Sequence, residues 1–267
     1  MNKMKRLGLS GLAVAGAAAL VAGLATPAMA AGSFDHSTPV VGGPSSLVLP
    51  KSGASNLTFT FQFEGPGAPN EYTAKPATSL LNRNAKIKSS YVVSALDIAS
   101  GGQVEPGPPA YNIPARLYAG YYVGSKARLA TPGKYRVSIP VTSTLDNVVR
   151  TGYKDVTVTA NATVSKNTTG FRSPSIRAGK TRTITVKAPY YQVGAKASAY
   201  FKAKGKKKFK KVGSATLNTS TADFSKAKIK VPGKYTRTAG HIYIKIGGAP
   251  YAPGYKLKTI PVKIVRR

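Results

Sequence analysis

Leu57-Thr58-Phe59-Thr60-Phe61-Gln62-Phe63 alternates apolar and polar side chains without a break. The same period of two runs through Asp155-Val156-Thr157-Val158-Thr159, Thr181-Arg182-Thr183-Ile184-Thr185-Val186 and His241-Ile242-Tyr243-Ile244-Lys245-Ile246. Successive side chains of a strand point to opposite faces, so this pattern specifies strands with one buried and one wet face. Clusters drawn from 19 Pro and 27 Gly separate the runs, and no long segment of period 3.6 follows residue 31. The sequence predicts an all-β chain built as sandwiches.

A repeat divides the chain. Thr131-Pro132-Gly133-Lys134-Tyr135 recurs as Val231-Pro232-Gly233-Lys234-Tyr235, an offset of 100, and Gly152-Tyr153-Lys154 recurs as Gly254-Tyr255-Lys256, an offset of 102. Two ordered pairs at nearly equal spacing imply duplication of a unit of one sandwich's length. In each copy Pro-Gly is read as a turn, the first Tyr as opening a strand and the second Tyr as opening the closing strand. The boundaries that follow are 31–160 for the first domain, 161–173 for a polar linker and 174–267 for the second domain. The first copy holds about 25 extra residues, assigned to the Pro/Gly-rich stretches 65–78 and 101–114. Proline lacks a donor, so these stretches are expected as surface loops outside any ladder.

Residues 1–30 read as a cleaved signal peptide. Lys3, Lys5 and Arg6 precede an apolar run over 7–26, and Ala28-Met29-Ala30 supplies a small–x–small cleavage pattern. A run of this length just suffices to span a bilayer, so a retained anchor is the competing reading; the charged start, Pro27 and cleavage site together favour removal. The expectation is a secreted, extracellular protein, free or associated with the cell wall, with no transmembrane segment in the mature chain. No Cys is present, so no disulfide supports the fold.

Charge is unevenly placed. Residues 160–267 carry 25 Lys/Arg against one acid, Asp223, or +24, whereas residues 31–159 carry 12 against 7, or +5. Such a density draws in any negative polymer through counterion release, and it exceeds what solubility requires.

Several stretches of the basic half carry a resemblance. They are Ile176-Arg177-Ala178-Gly179-Lys180 before a Thr-rich strand, the run from Tyr200 through Lys204-Gly205-Lys206 to Val212, Ala222-Asp223-Phe224-Ser225, and Pro232-Gly233-Lys234-Tyr235. Together they resemble the bacterial Ig-like domains of secreted and surface proteins, over about residues 174–267, with a weaker echo in 45–159. The resemblance implies two tandem Ig-like β-sandwich domains. It implies no catalytic residues, because these domains serve as spacers, adhesins and enzyme accessories alike.

Seven of the ten residues from 202 to 211 are lysine: Lys202, Lys204, Lys206, Lys207, Lys208, Lys210 and Lys211. Gly205 marks the turn of a two-stranded ribbon with a cationic tip. Lysine suits unspecific phosphate or carboxylate contact better than bidentate base reading. The ribbon is therefore the candidate polyanion site, with wall teichoic-type polymers, acidic polysaccharides and extracellular DNA as partners. A solvated hairpin that only guards a sheet edge is the bland alternative. Two tyrosine pairs, Tyr121-Tyr122 and Tyr190-Tyr191, would each expose one ring if they lie in strands, giving possible aromatic contacts to sugars; rim packing is the alternative.

Catalysis and metal binding find little in the sequence. His36 and His241 stand alone, and eight carboxylates are scattered without motif spacing. Glu64 and Glu71 are the only close pair, and a glycosidase needs two facing carboxylates. No catalytic residue, metal ligand or cofactor is assigned. The expected function is a non-enzymatic binding protein for anionic polymers. A protein-binding module using the loops of the first domain, as inhibitor or accessory of an extracellular enzyme, and a carbohydrate-binding module using tyrosines remain as alternatives.

Overall fold

The computed structural model describes residues 40–51, 53–63, 72–75, 77–99, 105–107, 110–121, 130–143, 147, 149–171, 176–221, 223–235 and 237–265. All four alternating stretches lie in strands: Gly53–Phe63, Val149–Thr159, Arg182–Pro189 and Gly240–Ile246. Along Gly240–Ile246 the burial follows the pattern, with Ile242, Ile244 and Ile246 inside and His241 and Lys245 outside. The chain is mostly strand, arranged in several largely antiparallel sheets.

The two halves share one strand order. In the N-terminal half one sheet runs Val40–Gly42, Gly53–Phe63, Ala110–Tyr121, Leu96–Ala99. The C-terminal half repeats it as Gly170–Phe171, Arg182–Pro189, Phe224–Val231, Asn218–Thr219. The other N-terminal sheet centres on Gly133–Ser143, paired with Val149–Thr159 on one side and with Tyr72–Ala74 and Ala77–Arg83 on the other. Its C-terminal counterpart centres on Gly240–Ile246, paired with Lys196–Ala203 on one side and with Tyr255–Lys256 and Ile260–Val262 on the other. In both halves a short early strand also pairs in parallel with the last one: Ser46–Val48 with Val149–Thr159, and Ile176–Arg177 with Ile264–Val265. The two halves thus resemble each other in strand pairing as well as in the repeated sequence.

In the C-terminal half, Ile184, Val186, Ala227 and Ile229 of one sheet and Ala197, Ala199, Ile242 and Ile244 of the other form one buried cluster, so the two sheets face each other as a sandwich. In the N-terminal half the inner face of the Gly133–Ser143 sheet supplies Tyr135, Val137, Ile139, Val141, Val156 and Val158, all fully buried.

Three expectations need correction. The Pro/Gly-rich stretches do enter ladders: Glu105–Gly107 pairs with Ala110–Tyr121, which also pairs with Gly53–Phe63. Pro114 lies opposite Thr60 on one side, and on the other it falls in the gap between the pairings of residues 110–112 and 116–119. A residue without a donor is tolerated at such a gap. The repeated Pro-Gly-Lys-Tyr also differs between copies. Tyr135 sits within its strand, but Tyr235 ends a single 3-10 turn, Gly233–Tyr235, and the strand begins later at Gly240. A side chain is excluded at both glycines, because a Cβ would stand 2.3 Å from the Asn82 carbonyl oxygen at Gly133 and 2.0 Å from that of Gly179 at Gly233. Finally, the polar linker contains a helix, Ala162–Thr168, capped by the Asn161 side chain, which accepts from the amides of Thr163 and Val164.

That helix belongs to a buried joint between the halves. Tyr190 and Tyr191 would expose one ring if they lay in a strand. They instead form a 3-10 turn, Tyr190–Gln192, and both are buried in the core of the N-terminal half together with Val193 and Ala252. Their hydroxyls explain why the site is specific. Thr131 Oγ1 bonds the Tyr190 hydroxyl at 2.9 Å and accepts from the Val93 amide at 2.9 Å. The Tyr135 hydroxyl donates to the Thr131 carbonyl at 2.5 Å and accepts from the Ala95 amide at 3.0 Å. Ser165 Oγ bonds the Tyr191 hydroxyl, and Asn84 Nδ2 donates to the Val193 carbonyl at 3.0 Å. Buried polar groups are stable only when paired, and this set pairs across the joint.

Two outcomes follow for stability. Thr131→Val places the second copy's residue at the first copy's position and strands the Val93 amide; it should cost about 1–3 kcal/mol by denaturant titration, with both halves still unfolding in one transition. Burial raises the Tyr135 hydroxyl to about 12, and those of Tyr190 and Tyr255 higher still. Between the unfolded tyrosine value, about 10, and these raised values, the unfolded chain has lost protons that the folded chain keeps. Stability should therefore fall as pH rises through that window, and less steeply in Tyr135→Phe. Chemical denaturation at a series of alkaline pH values checks both slopes.

Candidate functional site

The lysine ribbon forms as expected. Lys196–Ala203 pairs with Lys210–Thr216, with Tyr200 opposite Lys211 and Phe201 opposite Lys210. Gly205 turns the chain at a φ of 80°, a left-handed conformation that favours glycine. The Lys206 amide donates to the Ala203 carbonyl at 3.0 Å, and the Lys204 amide ties the turn to the Ala239 carbonyl at 2.8 Å. Six of the seven lysines are exposed and Lys202 is half-buried.

Strand alternation and the turn then place six of the seven on two faces. Phe201 points into the core and is 8% exposed. Beside it Lys206, Lys207, Lys208 and Lys210 border a cleft of about 420 Å³. Lys234, from the repeated Pro-Gly-Lys-Tyr motif, joins them from the facing turn. Lys202 and Lys211 belong to the opposite face of the sheet. There the Tyr200 and Tyr243 rings stack, with centroids 4.9 Å apart and an interplanar angle of 7°. Phe209 meets Tyr243 edge-on at 4.9 Å, Lys202 Nζ lies 5.2 Å from the Phe209 ring, and Lys256 Nζ lies 4.1 Å from the Tyr243 ring. These are cation–π distances. Lys204 stands at the turn and borders neither group.

A third basic surface lies on the other sheet. Lys226, Lys228 and Lys230 alternate with buried residues along Phe224–Val231, and Lys187 lies directly opposite Lys226. Lysines two residues apart on a strand repeat about every 7 Å. Like charges placed opposite each other disfavour the sheet. Asp223 is the single side-chain carboxylate in 160–267, so ion pairing within this half neutralises almost none of the charge. The N-terminal half differs: Arg136 donates to both oxygens of Asp155, at 2.8 and 3.1 Å, and stacks 4.0 Å over Tyr153. The guanidinium holds the Asp155 carboxyl below the usual carboxylate range.

Of the tyrosines proposed from sequence for sugar contact, Tyr190 and Tyr191 are structural members of the joint. Tyr121 ends the Ala110–Tyr121 strand, its side chain and Tyr122 lying outside the described residues. His36, Glu64 and Glu71 also lie outside them. Among the described residues no group of three His, Asp or Glu side chains could hold a metal, and no helix is long and apolar enough to cross a membrane. Lys234, Tyr235, Tyr200 and Tyr243 are the site residues that sequence reasoning missed. The signal for the first two was the repeat itself, read only as a turn.

No protein-family model matches the chain, and no curated protein matches it. Among solved structures, a chimeric titin Z1Z2 functionalized with a KLER peptide from decorin is similar over 87% of this chain and 99% of its own, at 12% identity and a TM-score of 0.22. The YadV chaperone is similar over 84% and 99%, at 11% identity and a TM-score of 0.24. Dpr2 Ig1-Ig2, solved in complex with DIP-Theta Ig1-Ig3, is similar over 86% and 100%, at 9% identity and a TM-score of 0.22. At these TM-scores the superpositions carry no argument about descent or ligand.

Proposed function

We propose that this chain is a secreted, non-enzymatic protein of two tandem Ig-like sandwiches that holds anionic polymers of the cell envelope or extracellular matrix through its C-terminal half. The Ig-like reading is supported by strand order. In the N-terminal half one sheet orders its first, third, eighth and sixth strands, in the C-terminal half its first, third, seventh and sixth, and in each half the second sheet is centred on the strand that next follows these, a division like ABED and CFG of that fold. The Tyr135 hydroxyl, bonding back to the carbonyl four residues upstream, supports it further.

The observation that carries the function is the convergence of Lys206, Lys207, Lys208 and Lys210 with Lys234, from a separate turn, in a half whose only acid is exposed Asp223. Lysines gathered from distant sequence positions concentrate potential more than a mobile run does, and an uncompensated field raises both encounter rate and affinity for polyanions. Their flexible stems and point charges favour polymers of repeating phosphate or carboxylate over a defined base sequence. The buried joint fixes the N-terminal half to this basic body, so a bound polymer immobilises the whole described unit.

Binding of residues 31–267 to heparin and to polyphosphate should weaken steeply with salt. If about six to eight lysines each neutralise one phosphate of a nucleic-acid duplex, the log–log slope is about −5 to −7. Lys206→Glu, Lys208→Glu and Lys210→Glu together should lower affinity by at least about tenfold and flatten the slope by about 3. Retention that is salt-independent, or unchanged in the triple variant, contradicts the reading. The intact chain is the right material, because removing 160–267 would uncover the core that Tyr190, Tyr191 and Val193 close.

A further inference from the structure

A polymer of phosphates needs no apolar floor, yet the cleft behind the ribbon has one. Phe201, Ala203 and Tyr235 form its base, while five lysines stand around it. The floor is built rather than incidental. The Phe201 ring packs closely on Gly240, where a Cβ would stand 2.7 Å from it. Tyr235, at the end of the 3-10 turn, packs against the same core, with Lys234 Nζ 5.3 Å from its ring centre. Among the described residues no carboxylate lines the cleft. Its volume, about 420 Å³, falls in the range of small-ligand sites.

We propose that this cleft takes one molecule of an anionic amphiphile: an alkyl chain laid on Phe201, Ala203 and Tyr235, with a phosphate, sulfate or carboxylate head among Lys206, Lys207, Lys208, Lys210 and Lys234. Neither part suffices. The lysines alone would hold a bare anion weakly in water, and the floor alone gives a neutral ligand no partner for its head. Joined in one ligand, the chain contributes apolar burial while the head gains five cations and displaces no acid. This inference is independent of the polymer reading, although the two share lysines. A polymer bound by charge is released by salt, whereas an alkyl chain on an apolar floor is not.

Calorimetric titration of residues 31–267 with n-octyl phosphate, held below its micelle concentration, tests it. Inorganic phosphate and octyl glucoside are the two half-ligands. One octyl phosphate should bind per chain, at least about tenfold more tightly than either half-ligand, with affinity changing by less than about threefold between 50 and 300 mM salt. Lys208→Glu with Lys210→Glu, both on the surface, should weaken it about tenfold, and Ala203→Asp should abolish it. Lys51→Glu, exposed in the N-terminal half and away from the cleft, should leave it unchanged. Equal affinity for inorganic phosphate would reduce the cleft to a cationic patch. Equal affinity for octyl glucoside would reduce it to an apolar one. Binding only to anionic vesicles, never to the monomer, would reassign the surface to membranes. Each result overturns the proposal while leaving the salt-dependent polymer reading standing or failing on its own test.

Discussion

Thr131 is the residue on which the arrangement of this protein turns. Its carbonyl receives the Tyr135 hydroxyl, its own hydroxyl receives the Val93 amide, and the same hydroxyl bonds Tyr190 from the other half. One fully buried threonine thus pins a corner of the N-terminal sheets and the joint with the C-terminal sandwich. Around it Leu96, Ala130, Val158 and Val164 share a core with Tyr190, Tyr191, Val193 and Ala252. Apolar contact alone would let the halves slide, whereas paired buried hydroxyls and amides tolerate one register. The basic half is thus joined to the N-terminal half through a shared buried core.

The second copy lacks this device. Val231 stands where Thr131 does, and Tyr235 lies in a turn that borders the lysine cleft. Tyr255 instead bonds Thr169 at 2.6 Å, just beyond the Ala162–Thr168 helix. The repeated motif is therefore used differently in the two halves. In one copy it organises the joint; in the other it supplies Lys234 and Tyr235 to a solvent-facing cleft. The same alternation that makes strands legible also distributes charge. Lys210 and Lys211 are adjacent in sequence and opposite in space, which places one lysine beside the apolar floor and the next beside the stacked pair of Tyr200 and Tyr243.

Sequence revealed what depends on local pattern. The four alternating stretches form strands and the ribbon turns at Gly205, since side-chain period and turn chemistry are local properties. What depends on distant partners was not legible. Tyr190-Tyr191 reads as a strand pair until the second half is folded against the first. The Ala162–Thr168 helix is short, rich in β-branched residues and held by Asn161 and by packing of Val164 and Ser165, so propensity alone gives it little weight. Pro114 argued against a ladder because the gap in its neighbour's pairing is a property of the sheet. Lys234 was missing from the ribbon because it reaches the cleft from a turn more than twenty residues away.

The central claim is spatial: anionic polymers meet lysines gathered at the cleft, not cations at large. Lysine acetylation footprinting of residues 31–267, with and without saturating polyphosphate, measures this directly. Protection should be greatest at Lys206, Lys207, Lys208, Lys210 and Lys234, and smallest at exposed Lys51 and Lys75 of the N-terminal half. Uniform protection across both halves, or protection that spares the cleft, would contradict the account.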